Sequence, residues 1–229
     1  MMKNSLELTV TELCCCNEGG VMKPLKTCLY AVLAGACISL GGTAFLSLDN
    51  KVLGAFFFVI GLFTICTFGF NLFTGKVCYS IGAGPSYIVT LVIIWIGNLL
   101  GCLIIALIES LTRIGPALTE RAVTMANTKL ADNGLSLFIL AFFCNVCIYI
   151  AVDGFKNNPH ELGKYLSLVF GVMVFILCGF EHSVADMYYF SIAHAWSAKT
   201  LLYVIIITLG NAVGGLIIPV FKLVAEKNG

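Results

Sequence analysis

Two carboxylates and an imidazole stand in the middle of an apolar run, in Gly179-Phe180-Glu181-His182-Ser183-Val184-Ala185-Asp186-Met187. Residues 166–178 upstream carry no charge, and Tyr188-Tyr189-Phe190 follow downstream. A charged side chain at the centre of a bilayer costs ~3 kcal/mol on insertion scales, so such a cluster marks a functional site. His182 is the one imidazole within the apolar interior, and burial favours its neutral form. A neutral imidazole can donate one hydrogen bond to an anion or exchange a proton with it. Glu181 is expected to accept hydrogen bonds from exposed backbone N–H groups, and Asp186 to occupy the first turn of a helix that resumes at 183 or 184. A second interruption, Asn71-Leu72-Phe73-Thr74-Gly75-Lys76, lies in the first half. There Asn71 and Thr74 offer side-chain donors, Gly75 permits a sharp backbone bend, and Lys76 either attracts anions or snorkels to the membrane surface. Donors and half-helix N-termini aimed at one point are chemistry for holding a small anion.

The elements that must position these residues are membrane helices. Of the 229 residues, 59% are hydrophobic and only 11% are charged, against about a quarter charged in soluble domains. The mean hydropathy is +0.99. The net charge of +1 gives no basis for nucleic-acid binding. Apolar stretches near the ~20 residues a span requires fall at about 27–48, 52–70, 86–108, 134–152, 165–178 resuming to 195, and 201–223. Residues 117–130 read as a short helix lying at the interface. The expectation is an all-α polytopic membrane protein of six transmembrane helices. Its second and fifth helices are broken, at matching places in an inverted repeat of three plus three. The pairing of the halves rests on layout, without strong residue-level identity. Non-helical backbone inside a bilayer is tolerated only where it is buried in protein or lines a cavity, so two mid-depth breaks imply a pore or binding cavity.

Residues 24–224 form the six-helix channel domain in this reading, between an N-terminal segment, 1–23, and a tail, 225–229. The segment has no long apolar run, so no secretory leader is expected. Eight lysines against five basic residues favour both termini on the cytoplasmic side of the cell's inner membrane. Isolated cysteines such as Cys28, Cys66 and Cys178 read as small hydrophobes. Cys14-Cys15-Cys16 sits in the polar N-terminal segment, where a reducing cytoplasm keeps thiols free. No cofactor or metal is expected: Cys144 and Cys147 lack a second pair. A membrane enzyme built on Glu181, His182 and Asp186 would need a nucleophile or metal set, and His160 and His194 fall near span ends. A neutral-solute channel of aquaporin type would need paired Asn-Pro-Ala breaks, which are absent. Most of the seventeen phenylalanines read as lipid-facing bulk, with a few forming apolar collars that exclude hydrated ions.

Leu72-Phe73-Thr74-Gly75 in one broken helix and Phe180-Glu181-His182-Ser183 in the other, with Cys144-Asn145 in the fourth span, resemble the formate/nitrite transporter family. The resemblance covers about residues 25–224. It implies an aquaporin-like fold and a homopentamer with one pore per protomer. It also implies conduction of small monovalent anions of weak acids: hydrosulfide, formate, nitrite, and lactate in some branches. By position, His182 corresponds to the central pore histidine and Thr74 to the threonine of the facing loop. Phe73 and Leu62 correspond to the cytoplasmic-side constriction, Phe58 and Phe175 to the external one. Lys129 and Asn145 correspond to the pair that polarises the histidine from outside the pore. Two departures stand out. Lys76 follows Leu-Phe-Thr-Gly, as in the hydrosulfide-channel branch, and Asp186 replaces the commoner asparagine. Hydrosulfide is therefore the favoured substrate. A formate- or nitrite-selective channel, or a proton-coupled transporter, is the alternative.

Overall fold

A computed structural model describes residues 24–228. The N-terminal segment, with Cys14-Cys15-Cys16, lies outside the described residues. Helices α1 (Pro24–Ser47) and α2 (Lys51–Phe68) form a hairpin. Its turn is closed by Asn50, whose side chain accepts from the N–H groups of Val52 and Leu53, satisfying donors that a helix start leaves unpaired. A short helix α3 (Phe73–Lys76) and a 3-10 turn (Val77–Tyr79) follow, then α4 (Pro85–Ser110). Next come α5 (Gly115–Ala131), α6 (Gly134–Asn157), α7 (Glu161–Leu177), α8 (Ser183–Ile192) and α9 (Ala198–Asn228). Five of them, α1, α2, α4, α6 and α9, are long and apolar enough to cross a membrane. The 17-residue α7 continues through a short non-helical stretch into α8, a ten-residue helix buried on all sides.

Two sequence expectations need correction. The first break is at 69–72, since Phe73 to Lys76 are helical. The bend accordingly belongs to Gly69 at φ 69°, while Gly75 lies within α3. Gly179 plays the same part in the second break at φ 72°, a left-handed backbone that a side chain disfavours. In both breaks a phenylalanine comes next, and its N–H returns to the helix just ended: Phe70 to the Ile65 carbonyl (3.0 Å), Phe180 to the Phe175 carbonyl (2.9 Å). Helix α9 runs on to Asn228, through most of the segment expected as the tail.

The two breaks are held by the same bonds. Asn98 of α4 accepts from the Phe73 N–H (2.9 Å) and donates to the carbonyls of Ala31 (2.8 Å) and Asn71 (2.9 Å). Asn211 of α9 accepts from the Ser183 N–H (2.9 Å) and donates to the carbonyls of Ala141 (2.8 Å) and Glu181 (2.9 Å). Both asparagines sit in Gly-Asn-x-x-Gly, at 97–101 and 210–214. Residue-level identity between the halves therefore exists, contrary to the expectation from layout. The glycines let the backbones touch: a Cβ on Gly101 would stand 2.1 Å from the Val32 carbonyl oxygen, and one on Gly214 would stand 2.0 Å from that of Phe142. Small residues at such crossings are what close helix contact in a membrane requires.

Candidate functional site

Each break ends at the start of a helix buried in the protein, and the two starts meet. His182 is the N-cap of α8, and its Nδ1 accepts from the Ala185 N–H at 3.0 Å. That bond decides the tautomer: Nδ1 is an acceptor, so the proton of the neutral ring is on Nε2. The Nε2 atom lies 3.0 Å from Oγ1 of Thr74, the second residue of α3. Nε2–H donates, the threonine oxygen accepts, and the threonine keeps its own hydroxyl proton to offer elsewhere. His182 is 2% exposed and Thr74 is fully buried. One contact thus joins the two breaks and leaves the Thr74 hydroxyl proton as the free donor at that point.

The walls are aromatic. The Phe175 ring stacks on His182, with centroids 5.5 Å apart and planes 19° apart. Phe58 meets Phe175 edge to face at 5.9 Å. A cavity of about 70 Å³ beside them is lined by Phe58, Phe175, His182, Lys129 and Asp186, among others. It has room for a few waters. Leu62 and Phe73 are also buried in the core.

The remaining expected residues are placed as follows. The Lys129 ammonium, from α5, makes an ion pair with Glu181 and a second, at 2.9 Å, with Asp186. Glu181 therefore meets a lysine, where bonds to open backbone N–H groups were expected; those N–H groups are served by Asn98 and Asn211 instead. Asp186 is in the first turn of α8. Asn145 does not reach His182. Its Nδ2 donates to the Thr74 carbonyl at 3.1 Å, so any influence on the histidine passes through the first break. Asn71 turns its side-chain donor away, to the Thr27 carbonyl at 3.3 Å. Lys76 is half-buried at the C-terminal end of α3, and its carbonyl accepts from the Tyr87 hydroxyl at 2.9 Å.

Several residues with a part in the site escaped the sequence reading. Asn98 and Asn211 were signalled by the repeated Gly-Asn-x-x-Gly. Cys102, read as packing, donates its thiol to the Val184 carbonyl at 3.4 Å, and Cys78 donates to that of Thr74 at 3.2 Å. Glu109, near the end of α4, is 9% exposed and accepts hydroxyls from Thr43 and Tyr188, each at 2.6 Å. Helix α5 carries Lys129 and is itself held near both of its ends. The Thr119 hydroxyl donates to the Ile192 carbonyl (3.1 Å), and Lys199 donates to the Leu130 carbonyl (2.8 Å).

The arrangement has known counterparts. The family model described as "Formate/nitrite transporter" matches residues 17–224. An uncharacterized transporter, YrhG, of Bacillus subtilis is 29% identical over 72% of this chain and 68% of its own. The nitrite transporter NirC of Salmonella typhimurium is 28% identical over 85% and 80%. The formate channel FocA of Haemophilus influenzae is 25% identical over 90% and 88%. Among solved structures, an FNT family ion channel superposes with a TM-score of 0.77 at 25% identity, covering 86% of this chain and 88% of that one. A pentameric formate channel with formate bound superposes at 0.73 and 23% identity, over 89% and 96%. That likeness shows the fold.

Proposed function

We propose a function from one premise: the chain belongs to the formate/nitrite transporter family, whose model spans 17–224. It is a membrane transport protein of that family, and its curated relatives and structural neighbours are channels and transporters. Our reading is a channel for small monovalent anions of weak acids. Hydrosulfide is the favoured substrate, on the strength of Lys76 after Leu-Phe-Thr-Gly, and formate and nitrite also pass. The fold we propose for it is six membrane crossings in an inverted repeat of three plus three, with α7 and α8 together making the fifth crossing. The matched bond sets of Asn98 and Asn211 support that repeat. We further assign it to the inner membrane with both termini cytoplasmic, 24–224 as the channel domain, and a homopentameric assembly like the solved pentamer it resembles.

The observation that carries the reading is the Thr74–His182 contact inside an aromatic wall. Aromatic walls at Phe58 and Phe175 strip water from an entering ion. A bare anion there is costly without hydrogen bonds; Nε2–H of His182 holds the Thr74 oxygen, so the Thr74 hydroxyl proton is the donor turned to the anion, and Nε2–H can turn to it in place of Thr74 to offset the cost further. The N-terminal end of α8 adds a partial positive charge at the same place. Of the two modes open to the histidine, donation is the better supported. A neutral ring whose Nδ1 is engaged by the Ala185 N–H has no spare proton to lend. Lending one requires a second proton on Nδ1 and loss of that cap.

The test is flux in proteoliposomes across hydrosulfide, formate, nitrite and chloride. Passage of the three weak-acid anions well above chloride is expected. Osmotic water or glycerol flow without anion flux, or chloride passing as fast as formate, overturns the reading.

A further inference from the structure

Two carboxyl groups share one ammonium beside the pore histidine. Lys129 pairs with Glu181 and with Oδ1 of Asp186 (2.9 Å). All three side chains are largely buried, Asp186 to 1% exposure. The second oxygen of Asp186, Oδ2, has no hydrogen-bond partner among the described residues. The charged or titratable groups facing this cluster from the surrounding elements are His182, Tyr189 of α8 and Cys144 of α6. None is a second cation: the neutral His182 ring offers its one proton to Thr74.

Counted as fully ionised, the group carries one uncompensated negative charge in a buried site. Such a charge is removed by taking up a proton, and two carboxylates that share a site do this first. The positive end of α8 favours ionisation of Asp186, but its effect is small against the cost of burying an unpaired carboxylate. We propose that Asp186 makes this group a proton-binding site. The proton is held on Asp186, with Oδ2 as the free oxygen that carries it. With the proton bound the group is neutral and anions pass; without it, a net negative charge lines the cavity that also contains His182, and anions are repelled. Asp186 is thus the residue that sets how anion passage depends on pH, by placing charge near the route without contacting the permeating ion through the donors described above.

The functional half of this inference rests on the anion-channel reading, while the proton site itself does not. The first measurement is therefore independent of transport. Infrared spectra of the full chain in lipid at neutral pH should contain the C=O stretch of a buried protonated carboxylic acid, and Asp186→Asn should lose it. Asp186→Glu, which restores a carboxyl, should regain it. Absence of the band from the unaltered protein overturns the proposal. The second is formate efflux from vesicles as a function of pH, chosen because the formate anion fraction is constant from neutral to alkaline conditions. The unaltered channel should lose flux as pH rises, and Asp186→Asn should lose that alkaline fall. An identical pH profile in both overturns the regulatory role even where the band is present. No formate flux at any pH, with the band intact, falsifies the channel reading alone.

Discussion

At the scale of single residues, His182 has two nitrogens with two jobs. Nδ1 caps α8 through the Ala185 N–H, and Nε2–H faces Thr74. The jobs separate by substitution. Asparagine is a good N-cap and alanine is not, a difference of about 1 kcal/mol. His182→Asn should therefore melt close to the unaltered protein, and His182→Ala should melt lower, in thermal unfolding followed in detergent. Both lose the Nε2 donor, so both should change anion selectivity in vesicle flux. Unchanged selectivity in His182→Asn would leave the histidine with a capping role only. Lys129 makes a contrasting case. An ammonium that merely attracted anions from a vestibule could be lost without harm to the fold. An ammonium paired with two buried carboxylates cannot, because breaking a buried pair costs about 3–5 kcal/mol. Lys129→Met should lower the unfolding temperature markedly at neutral pH.

At the scale of elements, the breaks depend on two asparagines, each serving one N–H and two carbonyls. Replacing either by leucine leaves three backbone groups without partners, at about 1–3 kcal/mol for each group that stays dry. Interhelical bonds in membranes are often worth less, nearer 0.6 kcal/mol on average, so about 2–4 kcal/mol in total is expected for Asn98→Leu and for Asn211→Leu. The two should not add. The breaks meet at Thr74–His182, and residues in one bonded network couple by about 0.5–3 kcal/mol. A double-mutant cycle on unfolding free energy measures that coupling, and strict additivity would mean the two breaks are stabilised independently. Helix positions and the existence of both breaks were legible in the sequence because apolar length and its interruption are strong signals. The break at Gly69 was not. Apolar Phe70 and Leu72 surround it, and only the left-handed turn that Gly69 alone tolerates marks the place. The partner of Glu181 was equally hidden, because Lys129 lies 52 residues away in sequence and reaches it only after α5 has docked.

At the scale of the whole molecule, the origin of the two breaks decides how many pores an assembly contains. Both come from the same chain, and their junction is a bond between Thr74 and His182 of one protomer. The asparagines that hold them are likewise supplied by that protomer's α4 and α9. Among the described residues, these parts of the site all come from one chain. Each protomer of the proposed pentamer should then conduct alone, with assembly contributing stability in the bilayer. Native mass spectrometry should return five times the 24.6 kDa protomer mass. The sharper test mixes subunits. Co-expressing the unaltered chain with a non-conducting His182 variant, at known ratios, gives pentamers of mixed composition. If every protomer carries its own pore, total flux should fall in direct proportion to the share of unaltered chains. A pore formed on the assembly axis would need five intact subunits, so flux would fall far more steeply, roughly as the fifth power of that share. A half-and-half mixture separates the two cases without further modelling: about half the flux survives in the first, and only about a thirtieth in the second.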